Sequence, residues 1–196
     1  MFSSALQRAA ALLASLGAGA TATTCDLFEK GGTPCVAAHS TVRALYSAYK
    51  GALYQVKRAD GQVFDVKAPD GFAAAAAQDK FCVGSSCVFW KIYDQSGKGN
   101  HLTIGPPGGA HRAQDIPANA ASDPLTVGGH KVYGLRMDPP SGYRCDNTTD
   151  IAVGDEAETM YAVLNGSHYN RYVRGSIITM FPLVRGSNMT HVRGSQ

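Results

Sequence analysis

Apolar and polar positions alternate most clearly in the middle of the chain. Ala52–Arg58 (ALYQVKR) alternates and places Leu53 and Tyr54 on opposite faces of a strand. Asp60-Gly61 is a hairpin signal, and Gln62–Val66 returns with Val63 and Phe64. Val88–Tyr93 (VFWKIY), rich in aromatic and β-branched residues, is the strongest strand signal. Lys131–Met137 and Met160–Leu164 read as further strands. Helical spacing is confined to short stretches. Ser40 or Thr41 caps a helix predicted over Val42–Tyr49, with Val42, Leu45, Tyr46 and Tyr49 on one face and Gly51 as its stop. Ala73–Ala77, followed by Gln78 and Asp79, reads as a helical turn. Gly105–Pro124, with its prolines, reads as an irregular surface loop. Many short strands separated by Gly/Pro turns predict an all-β sandwich with minor helix.

The two ends depart from this pattern. Met1–Arg8 carries one positive charge and Ala9–Ala20 is an apolar run too short to span a bilayer. Ala20-Thr21-Ala22 supplies small residues for cleavage, with Ala18-Gly19-Ala20 as an equal alternative. Residues 1–22 therefore read as a secretory signal peptide, and the expectation is an extracellular protein with no membrane span. Residues 171–196 contain four arginines and no Asp or Glu, and Val-Arg-Gly-Ser recurs at Arg174, Arg185 and Arg193. Spacings of 11 and 8 residues suit no repeat architecture. This segment reads as an unrelated basic tail, disordered, and residues 23–170 as the folded body. Residues 9–170 hold 13 Lys/Arg against 15 Asp/Glu. The body is thus slightly acidic and offers no basic patch for nucleic acid.

Cysteine spacing fits export. Cys25 and Cys35 bracket a turn-rich loop with Gly31, Gly32 and Pro34, and Cys82 and Cys87 bracket Val-Gly-Ser-Ser. Two local disulfides are the simplest reading, and the spacings do not match paired zinc knuckles, so no metal is assigned. Cys145 is left over as a thiol or as half of a bridge to a partner elsewhere. Sequons occur at Asn147, Asn165 and Asn188; Asn147 and Asn165 are the glycosylation candidates.

Other chemistry is sparse. Glu29, Glu156 and Glu158 are the only glutamates. Glu156 and Glu158 would share a strand face, too close to flank a sugar, and Gly154-Asp155-Glu156 reads as a solvated turn. Asp94–His101 (DQSGKGNH) has one carboxylate, too little for a calcium loop. It reads as a tight turn in which Gly97 and Gly99 take positive φ and Asn100 bonds the backbone. His39, His101 and His168 are read as polar core or loop residues, and Trp90 as a core residue rather than a sugar-stacking one.

A family resemblance runs through the same residues. It begins at Cys25-Asp26-Leu27-Phe28, Thr33–Thr41 (TPCVAAHST) and Arg43-Ala44-Leu45-Tyr46. It continues through Gly51–Val56 (GALYQV), Gln78–Cys82 (QDKFC) and Ile92–Leu102 (IYDQSGKGNHL), then Ala157–Asn170. In this order they resemble the N-terminal part of the catalytic domain of the secreted α-L-arabinofuranosidase B family, glycoside hydrolase family 54. The resemblance implies a concanavalin-like β-sandwich, here incomplete, followed in the family by an arabinose-binding β-trefoil. It implies release of terminal arabinofuranosyl residues from plant cell-wall arabinan and arabinoxylan with retention, which requires two carboxyl groups about 5–5.5 Å apart. The family's two carboxylates align beyond Asn170. An adjacent cysteine pair is expected after His168-Tyr169-Asn170, where Arg171-Tyr172-Val173 stands. No catalytic residue, cofactor or metal ligand is therefore assigned, and the expectation is a truncated chain, inactive alone. The alternative is a secreted polysaccharide-binding module without catalysis.

Overall fold

The computed structural model describes residues 22–108 and 112–165, together with the backbone of 180–184 and 191–193. In chain order it contains α1 (Thr24–Lys30), β1 (Cys35–Ser40), β2 (Ala52–Arg58), β3 (Val63–Lys67), α2 (Ala75–Cys82) and β4 (Cys87–Ile92). There follow β5 (Leu102–Ile104), β6 (Pro124–Val127), β7 (His130–Tyr133), β8 (Gly142–Arg144), β9 (Thr159–Met160), β10 (Met180–Val184) and β11 (His191–Arg193). The strands form a six-stranded sheet in the order β11-β8-β5-β4-β2-β3, a three-stranded sheet β1-β10-β9 and the hairpin β6-β7. All pairings between strands are antiparallel. The architecture is the all-β sandwich with minor helix that the strand pattern predicts.

The β2-β3 hairpin and β4 form where alternation places them, turning at Gly61 with φ 90°. Their inward side chains, among them Tyr54, Val56, Val66, Phe89 and Ile92, build the main core with Leu102, Leu135 and Tyr143. Inside it the Tyr143 hydroxyl donates to Phe89 O (2.7 Å) and accepts from Ala118 N–H (2.8 Å). The loop over 105–123 is irregular as expected, but it is not wholly superficial. Phe89 N–H donates to Ala118 O and Ala120 N–H to Cys87 O, which lays the loop along β4 and buries both alanines.

Four local expectations are corrected. No helix forms over Val42–Tyr49, because its backbone donors go elsewhere. Ser40 Oγ takes Val42 and Arg43 N–H (both 3.1 Å), Gly71 O takes Ala44 N–H (2.8 Å), and Gln95 Oε1 takes Leu45 N–H (2.7 Å). A side chain two or three residues back competes successfully with helical bonding. Trp90 is not in the core. Gln55 pairs with Lys91 and Val56 with Phe89, so Trp90 is the extra residue of a bulge and points outward, 36% exposed. The strand after Lys131 stops at Tyr133, although Leu135 and Met137 beyond it stay buried. Met160–Leu164 supplies only the end of the two-residue β9, with Met160, Tyr161 and Leu164 exposed.

β10 and β11 lie within the segment 171–196 that the sequence reading took as a disordered tail. In both the backbone is extended and paired: Ser40 with Met180 through Ala37 with Leu183, and His191–Arg193 with Arg144–Gly142. The remainder of that segment, and the proposed signal segment through residue 21, lie outside the described residues.

Candidate functional site

Two constructions bring polar and titratable side chains together. The first is the turn after β4. Asp94 is buried and accepts four hydrogen bonds: Ala38 N–H (2.8 Å) and Ser96 N–H (2.9 Å) on Oδ1, Ser96 Oγ–H (2.7 Å) and Asn100 N–H (3.0 Å) on Oδ2. Asn100, fully buried, donates from Nδ2 to Val36 O (2.8 Å) and Thr149 O (2.9 Å) and accepts Thr149 N–H at Oδ1 (2.7 Å). Gly97 and Gly99 take φ 81° and 79°, which the tight turn requires. This is the turn expected from DQSGKGNH, and its only carboxylate is saturated by donors, which leaves nothing for a cation. Among the described residues no group of three or more His, Cys, Asp or Glu side chains could hold a metal.

Both described histidines of this region serve the same turn. His39 Nε2 lies 2.6 Å from Asn100 O, and His101 Nδ1 accepts Asp94 N–H at 3.0 Å. Burial holds the His39 imidazole below its ordinary range, against the pull of Asp94. Burial, then Lys91, does the same for His101. Unfolded histidines take up protons near pH 6.5, while these two resist until lower pH. The unfolded chain then binds more protons, so their contribution is intact above about pH 6.5 and is lost as pH falls from there. Melting temperature should drop between pH 7 and pH 5, and the drop should shrink in a His39→Gln/His101→Gln double variant. An equal drop in both proteins would contradict this assignment.

The second construction is a cleft of about 350 Å3 between the 43–50 segment and the turn at 69–72. Arg43, Tyr46, Tyr49, Lys50, Asp70 and Phe72 line it, with Thr23, Ala44, Ser47, Pro69 and Gly71. The Arg43–Phe72 bridge, Ala73 N–H to Val42 O and Ala44 N–H to Gly71 O hold its two walls together. The Tyr46 hydroxyl donates to Cys35 O (3.3 Å) and the Tyr49 hydroxyl to Ala52 O (2.7 Å), which fixes both rings. Burial, then the charge of Glu29, pushes the Tyr46 hydroxyl up to about 12, so it stays protonated. Gly51 leaves room for the Tyr49 ring: a Cβ there would stand 2.5 Å from its hydroxyl oxygen. Asp26 ties the floor together by accepting from Thr23 N–H (2.8 Å) and Ser47 N–H (3.0 Å). Burial opposes its ionisation, but these bonds outweigh that and hold the carboxyl below its usual range. The sequence pattern placed Tyr46 and Tyr49 on one face of a helix; no local spacing signals the cleft, whose second wall comes from residues 69–72.

The remaining sequence-predicted residues lie apart. Cys25–Cys35 and Cys82–Cys87 are both disulfides, with Cα separations of 5.7 and 5.9 Å. The first staples α1 to β1, the second closes the turn between α2 and β4. Cys145 belongs to neither, and its Sγ lies 3.4 Å from Asn147 O. Asn147 is exposed in a bend and Asn165 is half-buried. Asn188 and His168 lie outside the described residues. Glu156 and Glu158 are exposed; Glu156 Oε2 accepts Val153 N–H across the turn at Gly154 (3.2 Å), as a solvated turn requires. Trp90, outside the core, carries Lys57 Nζ 3.8 Å from its ring centroid.

Comparison with known proteins places this disulfide-stapled antiparallel sandwich in a family of glycoside hydrolases. The family model described as "Alpha-L-arabinofuranosidase B, catalytic" matches residues 24–173. The chain belongs to this α-L-arabinofuranosidase B family. It is 52% identical over 175 residues to a probable α-L-arabinofuranosidase B of Aspergillus flavus, covering 84% of this chain and 35% of that protein. It is 53% identical over 152 residues to an α-L-arabinofuranosidase of Hypocrea jecorina, covering 74% and 30%. Among solved structures it is similar to an arabinofuranosidase complexed with arabinofuranosyl-α-1,2-xylobiose, with a TM-score of 0.73 and 50% identity over 77% of this chain and 33% of that one. A family 54 arabinofuranosidase soaked with a cyclic sulfate inhibitor gives a TM-score of 0.73 and 49% identity at the same coverage. The chain thus spans about a third of the length of the relatives it matches.

Proposed function

We propose that this chain is the first part of the catalytic sandwich of a secreted, retaining α-L-arabinofuranosidase acting on terminal arabinofuranosyl groups of arabinan and arabinoxylan, and that residues 1–196 alone do not hydrolyse them. The observation that carries the reading is the family match over 24–173 together with the placement of the described acids. Retaining hydrolysis needs a nucleophile and an acid/base facing each other across the sugar. Asp94 is consumed by the turn, and Glu156 and Glu158 are exposed ahead of β9. Asp70 is the one carboxylate lining the cleft, and Asp26 in its floor is taken up by Thr23 and Ser47 N–H. Export is supported by the apolar, small-residue N-terminus and by the two short-range disulfides. The test is release of 4-nitrophenol from its α-L-arabinofuranoside by chain with both disulfides formed and a folded circular-dichroism spectrum. Release no faster than buffer is expected; turnover above buffer would overturn the inactivity.

A second reading, a polysaccharide-binding module without catalysis, is favoured by one feature: three aromatic rings and two cations gathered in a single cleft. Retention of the chain on insoluble arabinoxylan tests it, and passage straight through would remove it.

A further inference from the structure

The cleft carries more charge information than a neutral sugar site needs. Arg43 Nε points at Ala44 O (3.4 Å) and its guanidinium carbon stands 5.5 Å from the Phe72 ring centroid. That leaves both terminal guanidinium nitrogens without a hydrogen-bond partner among the described residues, on a fork held by ring contact. Lys50 is exposed on the same wall and forms no ion pair among the described residues. Phe72 is itself held by His130, the two rings stacked with centroids 4.3 Å apart and planes 11° apart. Five ion pairs join other described residues; of the cations outside those pairs, Arg43 and Lys50 are the two that line this cleft. A planar fork matches a carboxylate through two parallel bonds. The Tyr46 and Tyr49 rings line the cleft as apolar surface for a pyranose, and exposed Asp70 offers an acceptor for sugar hydroxyls. The volume lies within the range of small-molecule sites, about 300–1,000 Å3.

We propose that this cleft is a binding site for a carboxylate-bearing sugar, a hexuronate side group of a plant polysaccharide, with Arg43 and Lys50 holding the carboxylate. The proposal rests on the polysaccharide-binding reading and adds the charge of the ligand to it. Full chain with both disulfides formed is titrated calorimetrically with glucuronic-acid-substituted xylotriose and, separately, with unsubstituted xylotriose. The acidic oligosaccharide should bind at least about tenfold more tightly. Arg43→Gln and the exposed Lys50→Gln should each remove most of that preference, while Lys57→Gln, beside Trp90, should leave it intact. Equal affinity for the two oligosaccharides would overturn the uronate site and leave neutral polysaccharide binding standing. No binding of either would overturn both. A preference that survives in Lys50→Gln and Arg43→Gln, with melting temperatures unchanged, would place the carboxylate elsewhere and overturn the assignment.

Discussion

Replacing Asp94 with alanine is expected to cost about 4 kcal/mol, a fall of roughly 10 °C in melting temperature for a domain of this size. The carboxylate receives four donors from three residues, and two of those donors, Ala38 N–H and Asn100 N–H, belong to buried residues. Truncation leaves them with no acceptor, and an orphaned buried donor costs about 1–3 kcal/mol. The loss spreads further, because Asn100 carries the next set of bonds, to Val36 O and to the Thr149 backbone. Asp94→Asn should fall between the parent and the alanine variant: one oxygen still serves Ala38 and Ser96, while an NH2 now faces the Asn100 N–H. Thermal unfolding followed at neutral pH would check the order Asp, Asn, Ala. An alanine variant melting with the parent would mean that water replaces the carboxylate and that the turn does not organise β1.

This turn was legible in the sequence because it is local: two glycines, an Asp and an Asn within seven residues admit few backbone paths. The disulfides were legible for the same reason, each closing a loop of ten residues or fewer. The β2-β3 hairpin and β4 followed from alternation, and the family from motifs kept in order. What failed depended on partners distant in sequence. The 42–49 segment has helical periodicity, but Gln95 and Gly71, more than 25 residues away, take its N–H groups. Trp90 sits in an apolar run that looks uniformly buried until β2 supplies one residue opposite two. β1 escaped notice because all six of its residues are buried, so small and polar side chains replace any alternation. The cleft was invisible for a related reason: its walls are separated by two strands, and only the Arg43–Phe72 bridge makes them neighbours.

The bulge that turns Trp90 outward also sets the second large effect, at its neighbour Phe89. Phe89 is fully buried, meets the Tyr54 ring edge-on at 5.0 Å between centroids, and lies opposite Val56 where the register shifts. Its backbone is held independently of its ring: N–H donates to Ala118 O and C=O accepts the Tyr143 hydroxyl. A backbone so fixed cannot collapse into the space a missing ring would leave. Phe89→Ala should therefore pay both the lost transfer energy and most of the cavity, about 3–5 kcal/mol. Phe89→Leu, which refills much of the volume, should lose less than half of that. Trp90→Ala at the adjacent position should change stability by about 1 kcal/mol or less, since the ring packs against solvent and Lys57. Urea unfolding of the three variants gives the comparison. If Trp90→Ala proved the more damaging, the facing of β4, and with it the inner layer of the sandwich, would have to be reversed.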